Sequence, residues 1–224
     1  MEIKPIAYIR TDLPSKFGVP RQSGLIEELE ATIIFEPEYR IDEALRGIEK
    51  YSHLWLIWEF SQNRQGSWSP TVRPPRLGGN TRLGVFATRS PFRPNSLGLS
   101  CVKLCGVTKT ADKGSVLSVS GADLADMTPI YDIKPYLPMS DRIEEAFGGL
   151  SERDTGLLEV IIPEEAAEPF DEKRLAALRR VLELDPRPAY HDDPERVYGF
   201  PFAGFEIKFT VNGTTLTVIK AEKA

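Results

Sequence analysis

The chain has 224 residues, 41% of them apolar and 27% charged, and a formal net charge of −5. This is a globular composition, with enough chain for one ordinary domain and a smaller one. No apolar run approaches the ~20 residues of a membrane span, and the opening Met-Glu-Ile-Lys-Pro-Ile has no apolar signal core, so the sequence predicts a cytoplasmic protein without a membrane partner.

Residues 3–9 predict a first short strand and residues 30–35 a second, with apolar Ile33, Ile34 and Phe35. Residues 41–50 carry Ile41, Leu45 and Ile48 at helical spacing, and Gly47 weakens that helix. The aromatic and branched run 51–60 predicts a central strand in which His53 is a packed, hydrogen-bonded core residue. Residues 83–88 and 97–107 predict further strands. The turn Asp112-Lys113-Gly114 then joins the latter to a strand over 115–120 as a hairpin. Many strands and one short helix point to an all-β barrel or sandwich.

Beyond Asp141 the character changes. Phe147-Gly148-Gly149 and a run of acids predict a linker or surface insertion. Asp171 is placed as the N-cap of a helix over 172–184, with Phe170 and Leu175 as its hydrophobic staple and Asp185-Pro186 as its stop. Phe205, Ile207, Phe209 and Val211 alternate, and Asn212-Gly213 turns the chain into a return strand through Leu216 and Val218. The expected organisation is a β domain over 1–143 and a small helix-plus-hairpin α+β unit over 144–224.

Cys101 and Cys105 lie four apart on one predicted strand, where they read as small buried hydrophobes rather than a disulfide. With His53 and His191 the only histidines, a zinc site is not expected. A glycine-rich dinucleotide turn, a phosphate loop, a zinc-protease helix and a nucleophile elbow are all missing.

Charge distribution carries more than net charge. Between Glu59 and Asp112 there is no acid, while Arg64, Arg73, Arg76, Arg82, Arg89, Arg93, Lys103 and Lys109 fall in that interval. From Asp141 to Glu172 eleven acids stand against two arginines. Such segregation predicts one positive face, suited to the phosphates of a nucleotide or an RNA. The arginine-, proline- and glycine-rich stretch 71–95 is its centre. Asp123, Asp126 and Asp132 form an acidic cluster that could serve acid–base chemistry, or hold turns and bind arginines.

Tyr51-Ser-His-Leu-Trp55, Thr71-Val-Arg-Pro-Pro-Arg-Leu-Gly-Gly-Asn80, Gly84-Val-Phe-Ala-Thr-Arg-Ser90, Phe92-Arg-Pro-Asn95, Asp132-Ile-Lys-Pro-Tyr-Leu-Pro138 and Asp185-Pro-Arg-Pro-Ala-Tyr190 follow in one order along the chain. In these segments the sequence resembles the TrmO family of tRNA methyltransferases. The resemblance implies a homodimeric β-barrel enzyme that uses S-adenosylmethionine to methylate the exocyclic nitrogen of threonylcarbamoyladenosine beside the tRNA anticodon, at position 37. It implies a cofactor site of Pro20, Arg21, Gln22, Ser61, Gln62, Arg89, Leu99, Gly121, Ala122 and Asp123. Three departures stand out: Ser61-Gln62 replaces a His-Gln pair, Met127 stands where the family often has Gly, and Ser96-Leu97 replaces Pro-Ile.

On that footing no metal is expected, because a sulfonium methyl is already an activated electrophile. Asp126, Tyr131 and Tyr190 are the candidate proton acceptors, and Arg73, Arg76, Arg82 and Arg93 the candidates for anticodon-loop phosphates. Two rival readings are a non-catalytic RNA- or nucleotide-binding module and a β-barrel enzyme using the same cofactor on another small substrate.

Overall fold

The computed structural model describes residues 2–63, 68–74, 81–148, 156–187 and 193–224. The chain is mainly β. Its first unit contains β1 (Ala7–Arg10), β2 (Glu30–Phe35), β3 (His53–Glu59), β4 (Thr71–Val72), β5 (Leu83–Gly84), β6 (Leu97–Thr110), β7 (Gly114–Ser120) and β8 (Thr128–Pro135). Six of these pair antiparallel in the order β1-β2-β7-β6-β3-β8, and β8 pairs again with β1, so the hydrogen-bonded ring closes. Closure leaves no free strand edge. Side-chain alternation fills the interior: Leu54, Leu56 and Trp58 of β3 are buried while their neighbours are half-exposed. They meet Ile9, Ile33, Leu117 and Ile130 in one apolar cluster.

Several local expectations are corrected. The first strand begins only at Ala7. The helix expected over 41–50 is instead two 3-10 turns, Asp42–Leu45 and Ile48–Lys50, separated by Gly47 at a φ of +88°. That left-handed residue interrupts any helical ladder. The strand expected over 83–88 stops at Gly84 and turns into a 3-10 segment, Val85–Ala87. β8, not anticipated as a strand, is the element that closes the ring. Cys101 is half-buried and Cys105 exposed, so the expectation of two buried cysteines fails for Cys105.

After the short α1 (Pro138–Asp141), a second unit is built from β9 (Glu159–Ile161), α2 (Glu164–Ala167), α3 (Glu172–Glu183), β10 (Tyr198–Phe202), β11 (Phe205–Asn212) and β12 (Thr215–Lys223). The sheet order is β10-β11-β12-β9, with β9 parallel to β12. The Asp171 carboxylate accepts from the Arg174 amide at 2.8 Å and caps α3. Leu178 and Leu182 of α3 pack on Phe200, Phe202 and Phe209 of the sheet.

This second core also takes Leu13, Ile26 and Leu29, which lie between β1 and β2. The connection 11–29 therefore leaves the first unit and packs into the second. Asp12 is paired with Arg174 at 2.9 Å, and its carbonyl accepts from the Ala203 amide at 2.8 Å. A Cβ at Gly18 would lie 2.5 Å from the Phe200 ring, so only glycine lets the backbone rest on that ring. These contacts hold Val19 to Gln22 at the junction of the two units.

Candidate active site

A cavity of about 450 Å³ opens between the end of β3, the start of β6, the connection 14–22 and the loop that follows β5. Small-molecule sites typically occupy ~300–1,000 Å³. Pro20, Arg21, Gln22, Ser61, Gln62, Arg89, Leu99 and Asp123 all line it. Gly121 and Ala122 do not. Gly121 instead bridges the two chain segments behind the wall, its amide donating to Leu29 and its carbonyl accepting from Gly24. Ala122 is buried in the first core.

Asp123 is the chemical centre of the lining. Burial pushes its carboxyl above the ordinary aspartate range, and four groups pull the other way: the Ser100 hydroxyl, its own backbone amide, the Arg89 charge and the Ser23 backbone. Ser100 itself is buried on β6; it accepts from Trp58 Nε1 at 2.8 Å and donates to Asp123 Oδ1. The indole thus fixes the hydroxyl, and the hydroxyl fixes the carboxylate. Trp58 lies against Gly98, where a Cβ would stand 2.3 Å from the indole. Phe60 meets Trp58 edge-on, with ring centroids 4.3 Å apart. No local sequence signal isolates Trp58, Gly98 or Ser100; the β3–β6 register, with Trp58 opposite Gly98 and Leu56 opposite Ser100, brings them together.

The connection and the loop are tied across the cavity. Arg89 Nη1 donates to the Gln22 side-chain carbonyl, and Gln22 Nε2 to the Arg21 carbonyl at 2.5 Å. Gln62 uses both ends of its amide on main chain: it accepts from the Lys16 amide at 2.8 Å and donates to the Pro14 carbonyl at 3.1 Å. Its observed contacts are those of a brace for the connection. Arg93 also faces the cavity, and its Nη1 donates to the carbonyls of Thr88 and Ser90. Four cationic residues, Lys16, Arg21, Arg89 and Arg93, stand in the lining against two carboxylates, Glu59 and Asp123.

The three aspartates of the acidic cluster disperse. Asp126 accepts from Arg10 Nε at 2.8 Å and the Thr11 amide at 3.0 Å, outside the cavity lining. Asp132 pairs with Lys134 at 2.9 Å. Tyr131 donates its hydroxyl to Glu59 at 2.6 Å; that bond, burial and the Glu59 charge push the phenol up to about 12. At neutral pH Tyr131 keeps its proton, so in this arrangement it is a donor. Glu59, absent from the expected set, is the second carboxylate of the lining; a lone acid at the end of an aromatic strand gave no signal. Tyr190 lies outside the described residues.

Of the arginines expected to meet RNA, Arg73 and Arg82 are exposed, and Arg82 donates to the Thr71 hydroxyl at 3.2 Å across the β4–β5 pair. Arg76 lies outside the described residues. His53 is half-buried, with Nδ1 2.9 Å from the Ser52 hydroxyl and its ring edge-on to Tyr136.

The family model described as the tRNA-methyltransferase O N-terminal domain matches residues 8–142, and that described as the TrmO C-terminal domain matches residues 156–224. The chain belongs to the TrmO family. It is similar, at 38% identity over 99% of this chain and 97% of the relative, to the tRNA (adenine(37)-N6)-methyltransferase of Escherichia coli K12. A putative S-adenosylmethionine-dependent methyltransferase, RcsF, of Pseudomonas aeruginosa is 40% identical over 88% of this chain and 87% of its own. The crystal structure of TrmO from Pseudomonas aeruginosa superposes with a TM-score of 0.78 at 31% identity, covering 99% of this chain and 98% of that one. The cavity around Asp123 therefore lies within the residues matched by the TrmO N-terminal domain.

Proposed function

We propose that this protein is a tRNA methyltransferase that places the methyl group of S-adenosylmethionine on the exocyclic nitrogen of threonylcarbamoyladenosine at tRNA position 37. The reading includes a cytoplasmic homodimer with no requirement for metal. The observation that carries it is the Asp123 cavity, framed by eight of the ten residues that family resemblance assigns to the cofactor, in a chain of the TrmO family.

The donor set suits that cofactor. Asp123 offers a carboxylate, held by Ser100, to hydroxyl or cationic groups. Arg21, Arg89 and Arg93 offer guanidinium donors to a carboxylate. Trp58, Pro20, Leu97 and Leu99 supply apolar surface for an aromatic base. When bound, S-adenosylmethionine supplies an activated methyl electrophile. The chain then needs to orient the acceptor nitrogen, exclude water and take up one proton. Glu59 is the residue of the lining suited to that last task, since Tyr131 occupies Oε2 as a donor and is not itself an acceptor.

Phe86, Phe92 and Leu99 are exposed in the segments that bound the cavity, which accords with a second copy covering them. The exposed Arg73 and Arg82 support contact with RNA phosphates.

Purified protein incubated with S-adenosylmethionine and threonylcarbamoylated tRNA is expected to give a nucleoside heavier by one methyl group in mass spectrometry, and unmodified tRNA much less. Tight binding of the modified tRNA without any product would instead favour the binding-module reading.

A further inference from the structure

Two of the segments that carry the family resemblance, 51–55 and 132–138, supply none of the residues assigned to the cofactor. They meet on the outer face of β3, where His53, Trp55 and Ile57 alternate, each half-buried. Tyr136, just past the end of β8, donates its amide to the His53 carbonyl at 3.0 Å. Its ring lies beside both aromatic neighbours, 6.2 Å from the His53 ring and 5.8 Å from the indole of Trp55 between centroids. Of these three rings, Trp55 is the one that also lines the Asp123 cavity.

The indole is fixed in place. Its Nε1 donates to Asp141 Oδ2 at 2.8 Å, and the Leu137 amide donates to the same oxygen at 2.9 Å. These two donors, the Leu137 amide first, hold the Asp141 carboxyl below the usual aspartate range, so the acceptor stays ionised at neutral pH. With its N–H satisfied, Trp55 offers the cavity aromatic surface rather than a hydrogen bond. It also stands close to the residues assigned to the cofactor. The β3–β6 register sets Trp55 opposite Cys101 and Ile57 opposite Leu99, so Trp55 and Leu99 are diagonal neighbours on one face, a separation of about 7–8 Å.

We infer that Trp55 is the stacking platform for the base to be methylated, and that Asp141 sets the plane of that platform. This rests on the function proposed above. Trp58, Pro20, Leu97 and Leu99 serve the cofactor's own base in that reading, and Phe60 packs edge-on against Trp58. Trp55 is thereby left as the aromatic wall for a second planar group in the same cavity. A base presented for chemistry leaves its stack in the RNA, and an aromatic face in the enzyme replaces the contact it loses. Stacking accepts every base alike, so Trp55 orients the acceptor and does not identify it. Asp141 acts through Trp55 as a positioning residue.

The test uses the full-length protein with S-adenosylhomocysteine bound and two anticodon stem-loops, one carrying threonylcarbamoyladenosine and one abasic at that position. Fluorescence anisotropy reads affinity. Trp55→Ala is expected to weaken binding of the modified loop about tenfold and to leave the abasic loop and S-adenosylhomocysteine as they were, whereas Trp55→Phe keeps most of the affinity. Asp141→Ala should show a smaller loss, again on the modified loop alone. The modified loop should also quench indole emission in the unaltered protein, and quench it less in Trp55→Phe. That variant keeps a ring on the face, so the quench is readable even where Trp55→Ala does not fold. Equal losses on the two loops, or a quench undiminished in Trp55→Phe, overturns the inference; unchanged binding in Asp141→Ala removes Asp141 from it. Lack of methyl transfer to the modified loop by the unaltered protein would overturn the functional reading instead, and the comparison of the two loops still judges Trp55.

Discussion

The Ser100 hydroxyl stands between Trp58 and Asp123, accepting from the indole at 2.8 Å and donating to the carboxylate. Ser100→Ala removes one of the groups that hold the Asp123 carboxyl down against the effect of burial. Its pKa should then rise further. If the ionised carboxylate binds the cofactor, affinity in the variant is lost at a higher pH on acidification than in the unaltered protein. Calorimetric titrations across the acidic range read that displacement; coincident pH profiles would show that Ser100 does not tune Asp123.

Asp123 also makes a linkage prediction. Its folded-state pKa lies above the unfolded value, so the native state holds the proton more tightly. The stability it contributes is present at low pH and is lost as pH rises through the folded pKa. Asp123→Asn stays neutral and can still accept from Ser100. The variant should melt no lower than the unaltered protein at neutral pH, and the difference in melting temperature between the two should shrink on acidification.

Gly98→Ala tests the packing beneath the indole. A Cβ 2.3 Å from Trp58 forces the ring to move, and its bond to Ser100 goes with it. Overpacking of this kind costs about 1–3 kcal/mol. Denaturant melts should show the loss, and cofactor affinity should fall with it. A variant with unaltered stability would mean that the indole has room to shift.

Met127 has a φ of +61°, where a side chain is strained and glycine is not. It is half-exposed, so its removal leaves little cavity. Met127→Gly is expected to raise stability by about 0.5–1 kcal/mol, the strain relief outweighing the added freedom of the unfolded chain. Thermal denaturation checks the sign.

Arg73 and Arg82 are exposed on the β4–β5 pair and its flank, away from the cavity lining. Each, replaced by Ala, should weaken tRNA binding across sequences and reduce the slope of log affinity against log salt by about 1, with cofactor affinity unchanged. An unchanged salt slope would remove that arginine from the phosphate contacts.

Sequence periodicity located β2, β3, β6, β7 and α3 well, because alternation and capping are local. β8 was hidden: residues 128–135 hold prolines at both ends and two charged residues, and the strand is defined by its partners β1 and β3. The 3-10 turns at 42–50 show how one left-handed glycine overrides an apolar helical spacing. The site was legible mainly through family resemblance, which named eight of the residues now found around one cavity. What periodicity and motif left out was the support behind them. Trp58, Gly98 and Ser100 become a unit only through cross-strand register, and Gln62 becomes a brace only once the connection 14–16 folds over it.

The cavity around Asp123 is proposed to hold the methyl donor. Isothermal titration of S-adenosylmethionine into the unaltered protein and into Asp123→Asn tests it most directly. Saturable binding to the unaltered protein is expected, with a loss of about tenfold or more in the variant and the fold intact by circular dichroism. Equal affinity in the two proteins would contradict it.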